Sequence, residues 1–459
     1  MENVYRLLKK LENEPSTNGK KAIIKAEADG EFLTVAQLAL GQDMSFNLTD
    51  IPPYKEPSDV AGGRVIVALR FLNQKGSATL EDAQTLANIV GPSEEDREVV
   101  RRILRKDLRC GVGAKMVNSV HPGTCFVVPY QRYSGFDELD NVDFEKDEVY
   151  GQLKLNGMFA YMFDPVRREK QFLSRNGSSF SLGDTALRSE ADRKFISELE
   201  DSVGESCVLM GELLVLSEDG ETYLSRQEGN GILNKFISGE GDPNMYEKIR
   251  YVIWGFVTES EFLAGKSDVP YKEMWNYLLH IAFLGSRIIL TNNTILRSRA
   301  EAIDFYKTQR SRKEEGAMVK VANKLKWKSE SSGSKFGIKL KPEAVAEFEI
   351  VDAYYGDPKR KYAAFLGGLI VKSSDGKIVT KVGGGFSHDQ RMLGVDWWRQ
   401  HIGKIVSISY IEIVTDKTDR TTYCLGNSNF VETRFNEKDE ADTYEYCIKL
   451  LEVSHDTRA

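Results

Sequence analysis

Gly151-Gln152-Leu153-Lys154-Leu155-Asn156-Gly157 alternates apolar and polar residues and then runs into a glycine. Period-two alternation predicts a β-strand with one buried face, and it leaves Lys154 close to the strand's end. A lone strand lysine is usually a solvated surface group. Later stretches of the chain change that assignment, in the order Ser174-Arg175, Gly211-Glu212, Trp254, Glu315-Gly316 and Lys339-Leu340-Lys341.

That order supplies the parts for attack on the α-phosphate of a nucleotide. A free lysine ammonium titrates near ~10.4 and is no nucleophile at neutral pH. Burial and neighbouring cations favour the free amine. Lys339 and Lys341, two apart on a predicted strand, share a face and can both discourage charge on Lys154 and hold phosphates. Glu212 and Glu315 offer the hard carboxylate oxygens that a divalent ion bridging phosphates requires. Arg175 can reach a ribose hydroxyl or a phosphate. Trp254 presents a flat face to a purine, or else belongs to the core.

The bulk numbers agree with an intracellular globular protein. The chain has 459 residues, 41% hydrophobic and 29% charged, enough for about three domains. No apolar run reaches the length of a membrane span, and the first residues do not read as a secretion signal. Five cysteines, Cys110, Cys125, Cys207, Cys424 and Cys447, are widely spaced, which predicts reduced thiols and no zinc site. Five histidines make imidazole acid–base chemistry a poor candidate.

Net charge is −7, yet Arg97, Arg101, Arg102, Arg105, Lys106, Arg109 and Lys115 face only Glu98 and Asp107 in their segment. Such a local excess attracts a phosphate backbone, although a solvated helix face has the same composition. Val99, Val100, Ile103, Leu104 and Leu108 recur at helical spacing, so most of the arginines are expected to point outward. Thr79 and Ser93 are predicted helix starts and Gly91 a helix stop.

Residues 1–129 read as helical. Residues 130–341 alternate strands and helices, with strands predicted over 150–163, 170–175, 207–216, 250–257, 316–321 and 336–341 and helices near 190–200 and 271–284. Residues 342–459 carry closely spaced strands over 344–354, 364–373, 377–382 and 404–413, a hairpin signal at Asp375-Gly376, and a last helix near 437–453. The expected class is α+β: a helical N-terminal domain, a central domain of mixed antiparallel sheets, and a small C-terminal β-barrel of the oligonucleotide-binding type.

The ordered motifs resemble those of the ATP-dependent DNA ligases of the covalent nucleotidyltransferase superfamily. In that family the nucleophile motif K-x-D-G is followed by D-G-E, an aromatic-Asp pair, E-G and K-x-K. Outside the motifs, Lys106 to Gly111, Asn118 to Gly123, and Ser225-Arg226 with Gly229 to Lys235 are similar to the T-even bacteriophage branch, and the similarity spans essentially the whole chain.

The resemblance implies a soluble, monomeric, cytoplasmic enzyme, in the host cytoplasm if phage-encoded, that uses ATP and Mg2+ or Mn2+ to seal nicked duplex DNA through a lysyl-AMP on Lys154. It implies ATP binding by Gln152, Leu153, Lys154, Arg175, Glu212, Trp254, Lys339 and Lys341. It implies metal binding by Glu212 and Glu315, and DNA contacts from Arg101, Arg102, Arg105, Lys106 and Lys115, with phosphate rather than base contacts dominating.

Departures from the family pattern are plain. Asn156 stands for its first aspartate, Phe159 for an arginine, and Met210 and Gly255 for two further aspartates. The last motif survives only as Arg434-Phe435-Asn436-Glu437-Lys438-Asp439. These departures motivate a competing reading, a ligase-fold protein that binds nicked DNA without sealing it. An RNA ligase shares the lysine chemistry, but the helical N-terminal part argues against it.

Overall fold

The computed structural model describes residues 1–55, 64–75, 77–164, 171–183, 189–281, 286–312, 314–330, 332–358, 362–416, 419 and 421–453. Lys170 of the predicted strand 170–175 and residues 282–284 of the predicted helix 271–284 lie outside them. Two compact units form: Met1–Pro129 with Phe159–Asp184, and Tyr130–Met158 with Thr185–Ala459. A division falls at 129/130, where the sequence pattern changes. None falls at 341/342, and residues 159–184 group with the helices.

In the first unit, the described residues before Pro129 contain seven helices, from Glu2–Asn13 to Ala114–Val120. Their apolar stripes meet in one core that includes Leu8, Phe32, Val35, Leu69, Val99 and Ile103. The predicted boundaries hold where caps dictate them. Thr79 closes a capping box with Asp82 ahead of Leu80–Val90, Gly91 ends that helix at φ 83°, and Ser93 caps Glu94–Leu104. Strands Met158–Met162, Phe172–Ser174 and Ser179–Phe180 pair antiparallel in sequence order. Tyr161 donates its hydroxyl to the Pro129 carbonyl at 2.6 Å.

The second unit contains the sheet that carries the lysine. Its strand order is Tyr133–Ser134, Ser334–Leu340, Ala317–Val321, Val149–Leu153, Asn293–Leu296. The single strand predicted over 150–163 is broken at 154–157. Gly157 explains the break: a Cβ there would stand 2.5 Å from the Leu213 carbonyl oxygen. The chain can therefore turn against its neighbour only as glycine.

Cys207–Val215 runs antiparallel to Ile249–Thr258, which pairs parallel with Ile288–Leu290. Further along, a five-stranded antiparallel sheet runs Val379–Val382, Leu366–Lys372, Ala344–Tyr355, Ile405–Tyr410, Asn429–Thr433. A bridge between Gly384 and Asn429 joins its two edges, so the sheet closes around Phe348, Leu369, Trp398, Ile408 and Phe430. The predicted turn at Asp375-Gly376 is present, with Gly376 at φ 69°. The last helix is shorter than predicted, Tyr444–Val453, and Tyr410 ties it down by donating to the Cys447 carbonyl at 2.8 Å.

Candidate active site

One face of the lysine sheet is apolar. Val149, Leu296, Ala317, Val319, Ile338 and Leu340 pack against Ala302, Ile303 and Tyr306 of helix Arg299–Ser311. Strand alternation then sends the intervening residues to the opposite face. Register makes that face explicit: Asn293, Gln152, Met318 and Lys339 form one rung across four strands, with Tyr150, Lys320 and Gly337 on the next. Burying one face against a helix therefore leaves a row of lysines and an amide on the other.

Lys154 sits just past the end of its strand, its backbone N–H donating to the Gly316 carbonyl at 3.1 Å. Its ammonium nitrogen lies 2.6 Å from Glu315 Oε1, with both side chains largely covered. Gly316 makes this approach possible. It adopts φ 153°, and a Cβ would stand 2.1 Å from the Leu340 carbonyl oxygen. Glu212, on the facing strand, accepts the Gly157 N–H at 2.5 Å. Burial pushes its carboxyl up to about 7, and the neighbouring Glu315 adds to the rise; the Gly157 hydrogen bond, Lys154 and Arg226 pull the other way. Lys154, Glu212, Glu315 and Asn156 thus share one locality.

Gln152 is held on every polar atom. It donates to the Tyr271 hydroxyl at 3.1 Å and to Asn293 Oδ1 at 2.9 Å, and accepts from Lys320 Nζ at 2.8 Å. Lys320 was absent from the residues singled out in the sequence. It is 1% exposed, its ammonium lies 4.1 Å over the Tyr271 ring, and burial drives its pKa well down. Strand parity with Met318 is the only sequence signal that could have found it.

A β-bulge aims Trp254. Met210 pairs with Gly255 and Gly211 with Ile253, so Trp254 is the extra residue on its strand. It packs with Leu155, Leu214 and Val252, and Leu153 joins the same cluster. Trp254 also borders a cavity of about 260 Å³ with Tyr133, Met210, Phe256, Tyr271 and Trp327. Lys341 comes after the paired strand and, with Asn156 and Glu315, lines a second cavity of about 280 Å³. The site therefore brings together Gln152, Lys154, Glu212, Glu315, Lys339 and Lys341. Arg175 belongs to the other unit, exposed at the turn after Phe172–Ser174.

Glu212 and Glu315, two carboxylates in one locality, fit a divalent ion that would take its remaining ligands from other oxygen donors such as water. No group of three or more acidic, histidine or cysteine ligands occurs among the described residues. All five cysteines are free thiols.

The basic helix differs from expectation in one respect: not all its cations face outward. Arg102 is 2% exposed and binds Glu12, Glu98 and the Leu108 carbonyl, because a guanidinium inside a helical core needs every donor matched. Lys106 donates to the Leu38 and Gly41 carbonyls, and burial lowers it to about 8. Arg101 and Arg105 pair with Asp50, and Arg101 also with Glu94. Lys115 is exposed and has no partner among the described residues.

No family model matches the chain. It is similar to the DNA ligases of Enterobacteria phages T4 and T6, each 25% identical over 419 residues, covering 83% of this chain and 84% of the relative. A DNA ligase of Thermococcus onnurineus is 25% identical over 298 residues, 59% of this chain and 51% of that one. Among solved structures, those titled "Pmar-Lig_Pre." and "Pmar-Lig_PreS3" share the fold with TM-scores of 0.68 and 0.65 at 18% identity, covering 94% of this chain and 99% of theirs. The chain thus resembles the DNA ligases of phages T4 and T6 over most of its length and most of theirs.

Proposed function

We propose that the chain joins a 5′-phosphate to a 3′-hydroxyl at nicks in duplex DNA, using ATP and a lysyl-AMP intermediate on Lys154. The contact between Lys154 Nζ and Glu315, at the edge of a lysine-bearing sheet face, carries the reading. Attack requires the pair to open and the Lys154 nitrogen to present a free lone pair, its proton passing to solvent. The freed amine then forms an N–P bond to the α-phosphorus. The bond to the bridging oxygen breaks, and pyrophosphate departs with the electron pair. AMP next passes to the DNA 5′-phosphate, and attack by the 3′-hydroxyl expels it.

Lys339 and Lys341 neutralise phosphate charge. Tyr271 borders the Trp254 cavity with Gln152 and Lys320 bonded behind it, which supports that cavity as the purine seat, with Leu153 in the apolar wall; motif position alone assigns Arg175 to the nucleotide. Glu212 and Glu315 would hold a divalent ion, Mg2+ or Mn2+, which when bound offsets phosphate charge.

Residues 1–129 would form the DNA-binding domain, 130–341 the adenylation domain, and 342–459 an oligonucleotide-binding barrel, a reading supported by the closed five-stranded sheet. Arg101, Arg105 and Lys115 would contact DNA phosphates; Arg102 and Lys106 would position them from inside. We place the protein as a monomer in the cytoplasm, the host's if phage-encoded. Among the described residues no helix is long and apolar enough to cross a membrane.

Incubation with labelled ATP and a divalent ion tests the reading: a covalent AMP adduct forms and is lost in Lys154→Ala. Absence of adduct with every divalent ion would instead favour a DNA-binding protein without sealing activity, the reading that the paired positions Met210 and Gly255 motivate.

A further inference from the structure

The turn that carries Arg175 is closed by three hydrogen bonds and seated on the helical part of the same unit. The Ser174 N–H donates to the Ser178 carbonyl at 2.9 Å, the Gly177 N–H to the Ser174 carbonyl at 3.0 Å, and the Ser178 N–H to Ser174 Oγ at 3.0 Å. Arg175 and Asn176 stay exposed at its tip, while Gly177 is buried. Gly177 has φ 91°, and a Cβ there would stand 2.5 Å from both the Cβ and the carbonyl oxygen of Gln42. Only a glycine lets the turn approach so closely.

Gln42 is itself pinned. Its backbone N–H donates to the Phe126 carbonyl at 2.9 Å, and its side-chain Oε1 accepts the Val128 N–H at 2.7 Å. The carbonyl of the preceding Gly41 accepts from Lys106 Nζ at 2.7 Å. One corner of the helical part, fixed from two later stretches of chain, is therefore the floor under the arginine turn.

We infer that Gln42 is a positioning residue for Arg175 and sets, from the helical part, how well the chain holds its nucleotide. The inference rests on the assignment of Arg175 to the nucleotide and deepens it. Gln42 acts through the backbone of Gly177 and needs no contact with substrate. An arginine on an exposed loop tip loses both side-chain and loop entropy when it binds an anion. Seating the loop on a fixed floor removes the loop's share beforehand. The amide oxygen of Gln42 is the group that ties this floor to Val128. A glutamate oxygen can accept the same N–H, and alanine has none.

Adduct formation by the full chain, followed with labelled ATP over a range of concentrations, tests this. The chains compared are wild type, Gln42→Ala, Gln42→Glu, Arg175→Ala and the double variant Gln42→Ala with Arg175→Ala. Gln42→Ala is expected to raise the KM for ATP about fivefold, with the rate at saturating ATP within about twofold of wild type, because ground-state binding is what is lost. Gln42→Glu should keep a KM near that of wild type. The double variant should be no worse than Arg175→Ala alone, since Gln42 then has nothing to position. A fall in melting temperature without a change in KM, additive losses in the double variant, or equal losses in the alanine and glutamate variants would each overturn the inference.

An unchanged KM in Arg175→Ala would instead remove Arg175 from the nucleotide, and the inference with it. If wild type forms no adduct, the lysine reading itself fails, and the same chains are compared by equilibrium binding of labelled ATP. Weaker binding in Gln42→Ala but not in Gln42→Glu, with no further loss in the double variant, supports the positioning role; unchanged binding in Gln42→Ala overturns it.

Discussion

Met210 and Gly255 are direct cross-strand partners. The ligase pattern has aspartates at both positions, and here both carboxylates are missing together. A Cβ on Gly255 would stand 2.9 Å from the Met274 methyl and 3.3 Å from that of Met210, so two thioether side chains fill the space. Met210 is 7% exposed. Met210→Asp is therefore expected to leave an unpaired carboxylate among apolar groups and to cost about 3 kcal/mol. Denaturant titration measures the loss, and the adduct assay should show no gain in rate.

Glu212 sets function against stability. Its carboxyl titrates at about 7, above the usual glutamate range, so the folded state retains a proton that the unfolded chain has lost. Stability should fall as pH rises from the ordinary glutamate range to about 7, and the full cost is present above that. Glu212→Gln is expected to melt higher than wild type at pH 8 and nearly alike at pH 4. Adduct formation in wild type should decline below pH 7 as the carboxyl is protonated, and be lost in the variant at every pH.

Glu315→Ala removes the partner of Lys154 and a carboxylate for the divalent ion. Adduct formation is expected to drop on the order of a hundredfold, as measured with labelled ATP. Gly316→Ala, by contrast, forces a Cβ against the Leu340 carbonyl oxygen and should destabilise the fold by at least about 2 kcal/mol, as read by chemical unfolding.

Cations on the basic helix should separate into two kinds. Arg102→Ala removes a buried guanidinium from Glu12, Glu98 and the Leu108 carbonyl and is expected to cost about 2–3 kcal/mol of stability. Lys115→Gln should leave the melting temperature unchanged while lowering the slope of log affinity for duplex DNA against log salt by about 0.9. An unchanged slope would make Lys115 a solvated surface group.

Local patterns were legible wherever one element alone decided them. The caps at Thr79 and Ser93 and the stop at Gly91 are set by hydrogen bonds within a few residues. Most strands fell near the predicted ranges, because burial of one face imposes alternation. Tyr423–Gly426 and Asn429–Thr433 were not predicted: they are four and five residues long and half exposed, so their sequence carries little period-two signal. The break after Leu153 was missed because it depends on how closely another strand approaches Gly157.

The sequence by itself determined the inventory: a lysine at a strand end, two glutamates beside glycines, and a later pair of lysines, each tied to a local turn or an alternating strand. Tertiary structure alone decided which of them meet and in what charge state. Gln152 and Lys320 are 168 residues apart, yet bond across successive rungs of neighbouring strands. Burial raises Glu212, strips solvent from Lys320 and turns Arg102 inward. Desolvation and long-range pairing depend on what lies across the gap, which no short window of sequence contains.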